Sequence, residues 1–148
     1  MMSFQEEISN DLKAALKAED PLRLSCLRML KTALKTKQAE QGNELKEPEI
    51  QAVISSLIRK GQEAAKEFRA GGREELAIKE ENEIKILYGY LPEQLNPDEI
   101  EKILKEIVSE LEVNNPKDLG KVMKVAMARM AGKAQGKKVS EIARKLIS

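Results

Sequence analysis

The chain has no histidine, no tryptophan, one cysteine and four aromatic residues, Phe4, Phe68, Tyr88 and Tyr90. Without histidine, neither a Ser-His-Asp triad nor a Cys-His pair can form. The usual zinc sites of histidine and cysteine are excluded for the same reason. Four scattered aromatics do not make a stacking platform for single-stranded bases. Cys26 has no second cysteine to pair with, which excludes an internal disulfide and points to a reducing compartment. No apolar run approaches the roughly 18 residues that a membrane span needs. The opening stretch MMSFQEEISN is acidic and amphipathic, and lacks the basic start and apolar segment of a signal peptide. Together these absences predict a cytoplasmic protein with no membrane partner, no metal site, no cofactor and no catalytic residue that the sequence marks.

What is present is helical and charged. The 148 residues fit one ordinary domain or two small ones, and are 41% hydrophobic and 34% charged. Ser3 with Glu6 reads as a capping box, after which Phe4, Ile8, Leu12 and Leu16 repeat every four residues, predicting a helix over 3–18. Asp20-Pro21 reads as an N-cap and first helical residue, with Leu27, Leu30, Ala33 and Leu34 inward to about Glu40. Pro48 opens a third helix that ends at Gly71-Gly72, and a fourth runs from about Arg73 with Leu76, Ile84, Leu87 and Leu91 inward. The segment Gly89–Pro97 holds two prolines and a glycine and is the predicted boundary. Beyond it, Asn96-Pro97 with Glu99 caps a helix carrying Ile100, Ile103, Leu104, Ile107 and Leu111. Asn115-Pro116 caps the next helix, and Val139, Ile142, Ala143, Leu146 and Ile147 mark the last. No strand pattern is found. The prediction is all-α, with a larger four-helix domain over 1–91 and a smaller three-helix domain over 92–148.

The net charge of +1 conceals a split. Residues 1–91 carry 15 Lys/Arg against 16 Asp/Glu, residues 92–116 carry 2 against 7, and residues 117–148 carry 9 against 2. Such clustering is the electrostatic footprint of a polyanion binder. Within it, glycine precedes lysine at Gly120-Lys121, Gly132-Lys133 and Gly136-Lys137. A nucleotide phosphate loop needs a glycine five residues earlier and Ser or Thr after the lysine. Here Met127 and Ala131 occupy the glycine positions, and Ala134 and Lys138 follow the lysines, so that loop is rejected. On a helical wheel, Leu119, Val122, Met123, Ala126, Met127 and Met130 share an apolar sector, with Lys117, Lys121 and Lys124 opposite. Lys133, Lys137 and Lys138 follow in a loop where Gly132 and Gly136 would let backbone N–H groups approach a ligand, just before a helix N-terminus. The alternative is that these lysines are an ordinary solvated face. A second stripe, Arg28, Lys31 and Lys35, is expected to pair with acids of neighbouring helices or to extend the polyanion surface. Cys26, Met123, Met127 and Met130 are expected in the core.

Five segments resemble the GatB/YqeY family, in order and over essentially the whole chain: LRMLKTALK (27–35), EFRAGGREEL (67–76), YLPEQL (90–95), DLGKVMKVAM (118–127) and GKAQGKKV (132–139). The chain is similar to stand-alone members of that family and to the C-terminal tail of the GatB subunit of the tRNA-dependent amidotransferase. The resemblance implies two helical domains and contact with tRNA. It also carries a label of carbon–nitrogen ligase with glutamine as amido-N-donor, but the domains that perform that chemistry have no counterpart here. Gln135 stands where the family loop often has Asp, and Lys124 where it often has Gly; both departures make the surface more basic.

The expected function is therefore a non-catalytic module that binds structured RNA, most simply tRNA, through Lys121, Lys124, Lys133, Lys137 and Lys138 with Gly132 and Gly136. Alternatives are an amidotransferase-related enzyme, or an adaptor for amidotransferase or other translation components.

Overall fold

A computed structural model describes residues 3–148. Every regular element among them is helical: α1 (Phe4–Lys17), α2 (Pro21–Gln41), α3 (Glu47–Ala70), α4 (Glu74–Tyr88), α5 (Pro97–Leu111), a 3-10 turn (Pro116–Asp118), α6 (Leu119–Arg129) and α7 (Gly136–Ile147). The packing groups these elements into one unit ending at Tyr90 and a second unit, Leu91–Ser148.

The first unit is held by the caps that the sequence announces. Ser3 Oγ accepts from Glu6 N at 3.2 Å while Glu6 Oε2 accepts from Ser3 N at 3.3 Å, completing the box at α1. Asp20 Oδ1 accepts from Arg23 N at 3.1 Å and starts α2. Gly42 ends α2 in the left-handed conformation, φ +83°, which a side chain would strain. The four-residue repeat of α1 does not stay on one face, however. Each step of four advances about 40° beyond a full turn, so by Leu16 the stripe has rotated about 120°. Leu16 is 61% exposed, and Ala15, seven residues after Ile8, takes the core position. In α4 the same reasoning moves Leu76 outward and Ala77 inward, in phase with Ile84 and Leu87.

α3 and α4 make the most extensive helix pair. Gly61 lies at their contact; a Cβ there would sit 3.1 Å from Ile84 Cγ1. Arg69 near the end of α3 reaches Glu74 and Glu81 of α4 through five hydrogen bonds of 2.8–3.0 Å. At the end of the unit, Tyr90 OH donates to Asp11 Oδ2 at 2.5 Å, and its ring meets Phe4 edge-on at 5.8 Å.

Cys26 is fully buried, as expected of a small core residue, and its Sγ donates to the Glu83 carbonyl at 3.6 Å. Burial, with the Glu83 charge second, pushes its thiol from 9.0 up to about 12. The buried thiol favours the protonated form, so the folded state is favoured below pH 9.0 and loses stability as pH rises toward about 12. A thiol-specific disulfide reagent at pH 8 is expected to label the native protein only as fast as it unfolds; immediate labelling would contradict this packing.

The second unit wraps Ile100, Leu104 and Ile107 of α5 around Val122 and Ala126 of α6 and Val139, Ala143 and Ile147 of α7. Leu111 does not join them and is 41% exposed. α5 ends there, Glu112 turns the chain left-handed at φ 53°, and Val113 enters the core instead.

Candidate nucleic-acid interface

The basic surface is built on α6, the turn after it and the start of α7. Val122 and Ala126 face the core, so Lys121 and Lys124 are left exposed on α6. Met130 is fully buried, and Met123 and Met127 are half-buried, so the methionines serve packing. Lys117 is exposed too, but it lies in the 3-10 turn Pro116–Asp118 that leads directly into α6 rather than on α6 itself.

The glycine loop is shorter than expected. α7 begins at Gly136, so Lys137 and Lys138 occupy its first turn and only Lys133 lies in the loop proper. All three lysines are exposed. Gly132 is left-handed, φ 72°, a conformation in which glycine is favoured. Gly136 needs no such freedom, since an added Cβ would meet Met127 at an ordinary 3.9 Å.

Two acids of this unit are engaged in ion pairs with other bases. Glu110 of α5 forks onto the Arg129 guanidinium, which holds its carboxyl below the usual range. Glu101 pairs with Lys105 at 3.4 Å. Among the described residues, no carboxylate lies within the 4.0 Å ion-pair distance of Lys121, Lys124, Lys133, Lys137 or Lys138.

Two residues outside the expected set shape the surface. Gln94 Nε2 donates to the Gly132 carbonyl at 2.7 Å and to the Pro92 carbonyl at 3.0 Å. Leu95 N donates to the Lys133 carbonyl at 2.8 Å. The segment read only as a boundary is therefore a strap that fixes the glycine turn and with it the Lys133 side chain's origin. No local pattern announces a bond between residues 38 apart.

Gln135 is the N-cap of α7 but makes no side-chain cap bond, and its Nε2 is buried without a partner. Orphan N–H groups of a first turn normally take a short acceptor at this position. Gln135→Asn and Gln135→Asp are each expected to stabilise the fold by about 0.5–1 kcal/mol in chemical denaturation. Only the aspartate, by adding a negative charge beside Lys133, Lys137 and Lys138, is expected to weaken polyanion binding as well.

The stripe Arg28, Lys31 and Lys35 lies on α2 of the other unit. Its expected pairing with neighbouring acids does not occur: no carboxylate among the described residues comes within 4.0 Å of any of the three. No helix among the described residues is long and apolar enough to cross a membrane.

Comparison with known proteins finds several relatives that share a name. The chain is 32% identical over 120 residues to "Altered inheritance of mitochondria protein 41, mitochondrial" of Lachancea thermotolerans, covering 77% of this chain and 64% of that protein. It is 32% identical over 113 residues to the protein of that name in Kluyveromyces lactis, covering 74% and 60%. Against the Saccharomyces cerevisiae (strain YJM789) protein it is 31% identical over 85 residues, covering 57% and 46%. The chain thus spans less than two-thirds of the length of these curated relatives. The model of one family, described as "Yqey-like protein", matches residues 5–147, and the chain belongs to that family.

Proposed function

We propose that this chain is a non-catalytic helical module that binds structured RNA, with tRNA as the first ligand to test. The observation that carries this reading is the set of five exposed lysines without an acidic partner, on a unit whose α5 acids Glu101 and Glu110 are spent on Lys105 and Arg129. Unpaired lysines close to one another repel, and phosphates would relieve that repulsion while releasing counterions. With so few aromatics, contact by backbone and shape fits better than stacking on unpaired bases. The proposal includes residues 92–148 as the RNA-binding domain, residues 1–91 as a second domain, and a reducing, cytoplasmic location.

Amide transfer forms no part of it. No observation on this surface joins a nucleophile to a base, and the similarity to an amidotransferase subunit concerns its tail. An adaptor role would need the lysines neutralised by acids of their own unit, and Glu110 instead takes Arg129.

Fluorescence titration of labelled tRNA at increasing salt tests the proposal. Binding that weakens steeply with salt is expected; absence of binding at low salt overturns it.

A further inference from the structure

The stripe on α2 divides in two. Arg28 is exposed and stands apart, whereas Lys31 and Lys35, neighbours one turn apart, line a cavity of about 510 Å³ formed by α1, the C-terminal half of α2 and the turn that follows. That volume falls within the range of small-molecule sites. Ile8 and Leu34, 1% and 3% exposed, form its closed floor, and Ala39, which is exposed, adds accessible apolar surface. Ser9 and Gln38 add polar groups. Gln5 Nε2 donates to Gln38 Oε1 at 2.9 Å, which orients the Gln38 amide and leaves its own N–H groups as donors. Glu44 is the single carboxylate in the lining, and it is not within ion-pair distance of either lysine.

Two like charges at i and i+4 with no counter-ion are unfavourable unless something anionic bridges them. RNA phosphates would meet them on a protruding ridge. Here Lys31 is half-buried, and an apolar wall stands beside the charges. We propose that this cavity binds a small organic anion, with its carboxylate or phosphate head between Lys31 and Lys35 and a short apolar body against Ala39 and the methylene stems of the two lysines.

The test is an NMR titration of the full chain with octanoate, hexyl phosphate and octylammonium. At least one of the two anions is expected to move the amide signals of Ser9, Lys35 and Gln38, and octylammonium is not. The tighter of the two anions identifies the head group. Replacing both lysines, Lys31→Met with Lys35→Met, is expected to weaken anion binding at least about tenfold. The paired change Lys31→Arg with Lys35→Arg keeps the charge and is expected to retain binding. The methionine variant is also expected to bind tRNA as the wild type does, so this inference and the RNA proposal fail separately. It is overturned by equal binding of octylammonium, by no shifts with either anion, or by unchanged anion affinity in the methionine variant. Loss of tRNA affinity in that variant also overturns it, since the stripe would then be an RNA contact.

Discussion

Gly61→Leu is expected to destabilise the protein by about 2–3 kcal/mol and lower its melting temperature by on the order of 10 °C. Gly61 is buried where α3 crosses α4, with Ile84 Cγ1 and Cδ1 at 3.1 and 3.2 Å and Glu80 Oε2 at 3.4 Å from where a Cβ would lie. A single methyl can be absorbed there by a few tenths of an ångström of movement in the flexible Ile84 side chain. Gly61→Ala also gains about 1 kcal/mol of helix propensity, and the two effects roughly cancel. Leucine has no such exit. Its γ-branch must displace Ile84 from a core position or part the two helices, and Ala77 and Leu87 of α4 move with them. Urea denaturation of the two variants side by side checks this. Equal stability of the leucine variant and the wild type would mean that the helices do not approach as closely as described.

Changing Lys121, Lys124 and Lys137 to Glu together is expected to lower tRNA affinity at least about 100-fold at low salt, because three phosphate contacts are lost and three repulsions added. The fold is expected to survive. All three side chains are exposed, none is in an ion pair, and the α6 core residues Val122 and Ala126 are untouched. Lys121 and Lys124 stand one turn apart on α6, and Lys137 lies in the first turn of α7, where N–H groups already favour an anion. Glutamate at 137 would improve that helix start, so any loss of affinity cannot be put down to unfolding of α7. Circular dichroism and thermal melting of the variant serve as the control.

The helices were legible because their ends carry local chemistry. Ser3 with Glu6, Asp20 with Pro21 and Asn96 with Glu99 each place an acceptor against the N–H groups of a first turn, and all three caps form. Leu16, Leu76 and Leu111 misled for a common reason. Each extends an apolar repeat by one more step, and a short repeat does not fix the phase of a 3.6-residue helix well enough to tell an inward residue from its neighbour. The exposed lysines of the basic surface were legible too, since exposure follows from lying opposite an apolar face. Its geometry was not. The 3-10 turn at Lys117 and the start of α7 at Gly136 are boundary details that the apolar repeat does not fix, and the strap of Gln94 and Leu95 across the glycine turn depends on contacts between segments distant in sequence. The commitment of Glu110 to Arg129 belongs to the same class. From sequence, any of the neighbouring lysines could have claimed that carboxylate.

The most direct measurement is the salt dependence of tRNA binding, taken for the wild type and the Lys121→Glu, Lys124→Glu, Lys137→Glu variant in parallel. Five lysine–phosphate contacts predict a log–log slope of about −3.5 to −4.5 for the wild type, and the loss of three contacts predicts a slope shallower by about 2.1 to 2.7. Tight binding with the same affinity and the same slope in both proteins would contradict the assignment of this surface.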